Sequence, residues 1–231
     1  MDYILSGLIQ ALELLFQGDP ETFSAVKTTV LASSLSVAAS MAIGTPVGFW
    51  LGYVPFPGRR PARVVVDTLL SLPTVVIGLL CYAFMTHRGP LGDWGLLFTL
   101  PGMAVGQTIL GLPIVIAMTA TAVESLDQRL KQTLITLGAD RRQILLTSLW
   151  EARFSLALAG AAAYGRIVSE VGISMMIGGN IKWHTRTITT AIALETGKGQ
   201  FATGIALGLI LMTVALLVNL AMTGLKRMSG T

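Results

Sequence analysis

Charge is what this chain has least of, and its absence is patterned. Only 12% of the 231 residues are charged, about half the share of an ordinary soluble domain. Thr28 to Gly58 carries no charged side chain, and neither do Thr68 to Thr86, Trp94 to Val123 or Gly199 to Leu225. A fifth stretch, Phe154 to Ile181, is interrupted only by Arg166 and Glu170. Cysteine is nearly absent too. Cys81 is alone, which excludes an intrachain disulfide, and its apolar setting gives no sign of a reactive thiol. The two histidines, His87 and His184, have no Cys, Asp or Glu near them at metal-ligand spacing, so they read as ordinary loop residues. No G-x-x-x-x-G-K-[ST] run, zincin motif or nucleophile elbow occurs. The chain therefore holds no nucleotide by a P-loop, and no catalytic constellation is visible.

What is present is apolar length. Hydrophobic residues make up 53% of the chain and mean hydropathy is +0.71. Each uncharged stretch is long enough for a helix of about 20 residues to cross a hydrocarbon core. The sequence predicts an all-α integral membrane protein with five transmembrane helices, at about 28–53, 65–85, 101–123, from 154 onward, and 201–222. Alternating ten-residue strands, which a membrane β-barrel needs, are missing. Residues 1–22 do not read as a signal peptide, because the start is acidic and no cleavage site follows. Asp2, Ser6, Gln10, Glu13 and Gln17 recur there at helical spacing. That predicts an amphipathic helix, lying on the membrane face or packed on the spans, with Asp19-Pro20 ending it.

The net charge of +4 is a topology signal, not a nucleic-acid one. Arg59, Arg60, Arg63, the charged insert 124–153 and Lys226–Arg227 fall on one side if spans alternate. That side holds ten of the sixteen basic residues. The positive-inside rule makes it cytoplasmic, with the N-terminus outside and the C-terminus inside.

Pro46, Pro73 and Pro113 fall in three successive spans. Together they suggest broken or bendable helices, while each taken alone favours the ordinary frequency of Pro in membrane helices. Arg166 and Glu170, four apart, share a helix face. An ionisable group within a span costs about 2.5–3.5 kcal/mol on insertion scales unless paired or hydrated. The two form either a structural ion pair or a pair lining the path of a charged substrate.

The insert Glu124–Arg153, ESLDQRLKQTLITLGADRRQILLTSLWEAR, carries nine charges, five basic and four acidic. It is too long for a turn. Leu126, Leu130, Leu134 and Leu137 are spaced for a helix, Gly138 suits its C-terminal end, and Asp140 with Gln143 forms a capping-box pattern. Two short helices joined at a Gly predict a docking element for a soluble partner. A second short helix is expected at about 187–196.

The run QTLITLGA followed by DRRQILLTSLWEAR resembles the cytoplasmic loop of permease subunits of ATP-binding cassette (ABC) importers. Gly138 matches the loop Gly of that family, and Leu137 and Ala139 match its neighbours. Gln132, Thr133 and Leu134 replace the usual E-A-A, and Trp150 replaces a Pro. LPTVVIGLL in span 2 is similar to the matching helix of oxyanion importers. GRIVSEVG resembles the R-A-x-G-E-F-G run of molybdate permeases, with Arg166, Glu170 and Gly172 on matching positions, and SEVGISMMIGGNI with TRTITTAIALETGKGQF is similar to tungstate-type permeases.

The resemblance covers about residues 25 to 225 and implies a type I ABC importer permease fold, a permease domain at 23–225 beside the N-terminal amphipathic helix at 1–22. It implies a homodimer in a bacterial or archaeal inner membrane, two copies of a separate ATPase that bind ATP and Mg²⁺, and an extracytoplasmic oxyanion-binding protein. No cofactor and no nucleic acid are implied; membrane lipid is the remaining partner. Leu137, Gly138, Ala139, Asp140, Arg141 and Arg142 would couple to the ATPase. Arg166, Glu170, Ser71, Pro73 and Thr74 would line the path. Tungstate is the implied substrate, molybdate or another oxyanion the alternative. A secondary transporter using Glu170 as proton carrier is the rival from another class, disfavoured by the lack of an inverted repeat.

Overall fold

The computed structural model describes residues 2–16, 18–126 and 133–227. The described residues are helical, with no strand among them. α1 spans Asp2–Phe16, α2 Pro20–Tyr53, α3 Arg59–Leu69, α4 Thr74–Met85 and α5 Leu100–Glu124. After the insert come α6 Arg141–Glu151, α7 Arg153–Val168, α8 Gly172–Gly178, α9 Ile188–Gly197 and α10 Phe201–Arg227. Helix starts follow the chemistry of their caps. The Asp19 side chain accepts from Thr22 N–H at 2.7 Å, with Pro20 in the first turn of α2. Thr99 does the same for α5, and Thr187 with Thr190 forms a capping box on α9.

Among the described residues, three helices are long and apolar enough to cross a membrane unbroken: Pro20–Tyr53, Leu100–Glu124 and Phe201–Leu220. The expected second span is not one helix. α3 and α4 meet at an angle of 95°, with the break at Leu70–Pro73. Pro73 lacks the N–H an uninterrupted helix would need there, and its carbonyl restarts the ladder by accepting from Val76 and Ile77. The fourth segment is also divided, α7 ending at Val168 and α8 beginning at Gly172. Pro46 and Pro113, in contrast, sit inside continuous helices.

The centre of the bundle is the α2–α5 contact. Ala32, Ser36, Ser40, Gly44, Gly48 and Gly52 recur every fourth residue along α2, and all are buried. This i±4 ridge of small side chains lets two backbones approach closely. At Gly48 a Cβ would stand 2.6 Å from Ile116 O and 2.7 Å from Thr119 Cβ, so only hydrogen fits. A polar seam crosses the same contact. Ser36 Oγ donates to Gln107 Oε1 at 3.0 Å, and Gln107 Nε2 donates to Ser174 Oγ at 3.1 Å, joining α2, α5 and α8. Two apolar clusters flank it. One gathers Ile77, Cys81, Met85, Leu110, Ile173 and Ile177 from α4, α5 and α8. The other gathers Ala25, Ile188, Ala191, Leu207 and Ile210.

α1 takes the packed arrangement among its expectations. It packs on α10, where a Cβ on Gly7 would lie 2.6 Å from Ile205 Cγ2. Ile4, Leu5, Leu8, Ile9 and Leu12 stay exposed on the same helix, an apolar surface suited to lipid.

Candidate functional site

The insert begins where α5 ends. Of its first helix, residues 133–136 are helical; Leu130 and Gln132 lie outside the described residues. The helix closes at Gly138 as expected. Gly138 N–H donates to Ile135 O and Ala139 N–H to Leu134 O, both at 3.0 Å, with Gly138 at φ +76°. These are the two bonds of a Schellman motif, with the left-handed residue at the position after the cap. The next residue opens α6. Asp140 Oδ1 accepts from Gln143 N–H at 2.7 Å, and Gln143 Oε1 accepts from Asp140 N–H at 2.9 Å. The chain thus ends one helix and starts another within two residues.

Of the six residues expected to couple, Leu137 is 77% exposed and Gly138, Asp140 and Arg142 are also exposed, with Ala139 half-buried. Arg141 is the first residue of α6. Ile135, Leu146 and Trp150 add apolar exposure on the same insert, a surface that calls for a covering partner. Ile144 and Ser148 turn inward. α6 and α7 are bent by 61°, and at the bend the Arg153 guanidinium stacks between Trp150 and Phe154, 4.6 and 4.3 Å from their ring centroids.

The path candidates lie at the two breaks. Arg166 Nη1 donates to Glu170 Oε2 at 3.1 Å. The pair forms, but not along one continuous helix face. α7 ends at Val168, so Glu170 stands in the break. Its side chain is 4% exposed against 42% for Arg166. The break explains why Glu170 is buried. Its Oε1 accepts from Ile173 N–H at 3.2 Å, capping α8, and its backbone carbonyl accepts from Thr189 Oγ1 at 2.8 Å. Burial of a carboxylate is tolerated because both oxygens are engaged.

The first break faces the second. A Cβ on Gly172 would lie 3.3 Å from Glu170 Oε1 and 3.7 Å from Thr74 Oγ1. Thr74 and Glu170 thus both approach Gly172, with no hydrogen bond between them among the described residues. Ser71 and Pro73 are exposed at the bend between α3 and α4, and no bond joins them to Arg166 or Glu170 among the described residues. Sequence reading missed Gln107, which is 2% exposed. Its signal was available: an amide in an otherwise uncharged span needs partners.

At the opposite end of the bundle, Glu21 pairs with Lys182 and Arg186, and Arg186 Nε also donates to Asn180 Oδ1 at 3.2 Å. This cluster fastens α2 to the α8–α9 connection.

Comparison with known proteins follows this architecture. The family described as "Binding-protein-dependent transport system inner membrane component" matches residues 44–228. The tungstate uptake system permease protein TupB of Campylobacter jejuni is 48% identical over 227 residues, covering 98% of this chain and 95% of that one. The protein of the same name from Peptoclostridium acidaminophilum is 33% identical over 226 residues, 98% and 99% of the two chains. A crystal structure of a bacterial ABC transporter importing the polysaccharide alginate superposes with a TM-score of 0.77 at 18% identity, over 96% of this chain and 84% of that one, a likeness of fold. The chain belongs to the binding-protein-dependent inner membrane components, as a permease subunit of an ABC importer and not its ATPase.

Proposed function

We propose that this permease carries an oxyanion, tungstate in the first place. The observation that carries the reading is the 48% identity to a tungstate uptake permease along 98% of the chain, supported by Arg166, a basic residue of the broken fourth segment. Family membership brings a separate ATPase, which binds ATP and Mg²⁺, and a periplasmic binding protein. We further infer a homodimer, with residues 1–22 an accessory helix, 23–225 the permease and 124–153 the loop on which each ATPase docks. We place the N-terminus outside and the C-terminus in the cytoplasm, because with alternating spans ten of the sixteen basic residues in the sequence fall on the side of the insert.

In this reading the chain does no covalent chemistry. ATP-driven closure of the ATPases moves the loops, and alternating access follows only if the loop makes different contacts in two states. Leu137 to Arg142 present the docking surface. Arg166 lowers the barrier for a dianion, and Glu170 keeps that attraction from becoming a trap. Ser71, Pro73 and Thr74 line the same path at the break. A proton carrier built on Glu170 is unnecessary, since energy comes from ATP and both Glu170 oxygens are already engaged. Molybdate has the same charge and nearly the same size, so selection between the two anions falls to the binding protein.

The test is reconstitution. The chain alone in proteoliposomes hydrolyses no ATP. With its ATPase it does, faster still with tungstate-loaded binding protein, and labelled tungstate accumulates inside. Hydrolysis by the isolated, contaminant-free chain overturns the reading, and uptake of sulfate in preference to tungstate and molybdate overturns the substrate.

A further inference from the structure

Glu124 is the last residue of α5 and the first of the docking insert. Two arginines of α3 converge on it. Arg59 Nη2 donates to Glu124 Oε1 at 2.8 Å and to Gly52 O, near the end of α2, at 2.7 Å. Arg63 Nη2 donates to Thr121 Oγ1, one turn back on α5, and Arg63 Nε lies 3.7 Å from Asp67 Oδ1. Arg63 Nη1 is different. It is buried, has no hydrogen-bond acceptor among the described residues, and stands 3.6 Å from the same Glu124 Oε1. One carboxylate oxygen therefore faces two guanidinium groups, hydrogen-bonded to the first and ion-paired at 3.6 Å with the second.

The place of this cluster gives it leverage. No residue of α3 is fully buried, so side-chain bonds rather than core packing set the orientation of α3. α3 runs into α4 through the 95° bend. α4 in turn packs on α8, with Gly78 against Met176, Ile173 and Gly172, beside the Arg166–Glu170 pair. Upstream, Glu124 is the residue at which α5 joins the insert. A buried donor without an acceptor is costly where it stands, and a carboxylate oxygen 3.6 Å away is the acceptor a second arrangement would supply.

We propose that Glu124 is the positioning residue through which the docking insert steers the broken second span, exchanging its bond from Arg59 to Arg63 between the two conformations of the transport cycle. In the present arrangement the chain Glu124–Arg59–Gly52 ties the end of α5 to the end of α2. After the exchange Arg63 alone ties Glu124 to α3 and Arg59 keeps only its bond to Gly52 O, so this side-chain link between the ends of α5 and α2 opens while their packed ridge stays. Each conformation then has its own contact, which is what coupling between distant sites requires. The proposal rests on the chain being an ATP-driven permease, not on the identity of the anion or on Arg166 lining the path.

The experiment uses the complete transporter with Cys81→Ser as background. Two double variants that keep Arg59, Arg63 and Glu124 in place, Arg60→Cys/Ser125→Cys and Val64→Cys/Ser125→Cys at exposed neighbouring positions, are treated with a short bifunctional thiol reagent, nucleotide-free and after trapping with ATP and vanadate. The exchange predicts that trapping changes the two yields in opposite directions, each by about fivefold, the lower end of allosteric coupling factors. In parallel, Glu124→Gln complexes hydrolyse ATP while anion uptake per ATP falls about tenfold. Yields that move together or stay constant overturn the exchange. Unchanged uptake per ATP in an assembled Glu124→Gln complex overturns the positioning role. If that variant does not assemble, the two crosslinking yields decide alone. None of these outcomes depends on whether tungstate or another oxyanion is carried.

Discussion

The Arg166–Glu170 pair offers the sharpest separation of path from scaffold, because its two ends are unequally placed. Breaking a buried ion pair costs about 3–5 kcal/mol when the remaining charge stays buried. Here only one end is buried. Glu170 is 4% exposed and Arg166 42%. Arg166→Gln strands the Glu170 carboxylate with the Ile173 N–H as its remaining donor, a loss of about 2 kcal/mol, as for one charged hydrogen bond. Glu170→Gln leaves an acceptor for Ile173 and a half-exposed arginine that water can serve, so about 1 kcal/mol is expected. The double change removes the stranded charge and should be no less stable than Arg166→Gln alone.

Transport follows a different order if Arg166 lines the path. Arg166→Gln then slows uptake, and a tenfold effect corresponds to about 1.4 kcal/mol of barrier. Glu170→Gln unmasks the arginine, holds the anion longer and also slows turnover. The double variant recovers stability but not rate. The measurement is anion uptake in proteoliposomes beside a thermal-stability assay for both singles and the double. A double variant that folds normally and transports at the wild-type rate refutes the path role and leaves the scaffold one.

Three further outcomes follow from the packing. Gly138→Val forces a β-branched residue to φ +76°, where among the described residues nothing beyond the chain neighbours lies within 4 Å of the new Cβ, so an effect of about 1–2 kcal/mol is expected from backbone strain; ATPase co-purification should fail or uptake uncouple from hydrolysis, while Gly138→Asn, which tolerates that region, retains both. Gln107→Leu removes the bonds to Ser36 and Ser174 and should lower stability by about 1–2 kcal/mol at roughly 0.6 kcal/mol or more per bond in a membrane; an unchanged melting temperature would show the seam to be dispensable. Gly48→Leu meets the Ile116 carbonyl at 2.6 Å, and backbone cannot yield as a side chain can, so overpacking of about 3 kcal/mol should appear as loss of folded protein on size-exclusion chromatography.

Much of this architecture was legible because its causes are local. Apolar length marks a span wherever it occurs, and the Asp140–Gln143 box and the Gly138 end depend on residues within one turn. The breaks were legible only in part. Pro73 was a visible reason for one, yet Pro46 and Pro113 carry the same residue through unbroken helices, because neighbouring helices decide whether a missing bond becomes a bend. The Ser169–Val171 break contains no proline. It exists because Glu170 caps α8 and Thr189, nineteen residues later, takes the freed carbonyl, and no local pattern announces such a partnership. The four-residue ridge of α2 was written plainly in the chain, but its meaning needs α5 opposite it.

The two breaks differ in how their backbone groups are satisfied, and that difference bears on which one can move. At the first, the bonds are local: Ser71 N–H to Thr68 O, Leu72 N–H to Leu69 O, and Pro73 O accepting from α4. Such a turn carries its own bonds with it when the angle between α3 and α4 changes. The second has local bonds too, Glu170 N–H to Ile167 O and Met175 N–H to Val171 O, but its Glu170 carbonyl is held from outside by Thr189 on α9 and its Glu170 carboxylate is buried on Arg166 and the Ile173 N–H. Moving it would expose a buried carboxylate and a buried carbonyl together, each costing about 1–3 kcal/mol unless replaced. Low-stability elements are the ones available for conformational change, so the hinge belongs at Leu70–Pro73 and the anchor at Ser169–Val171. A permease needs both: an anchor to hold Arg166 in place, and a hinge that the docking insert can turn through the arginines of α3.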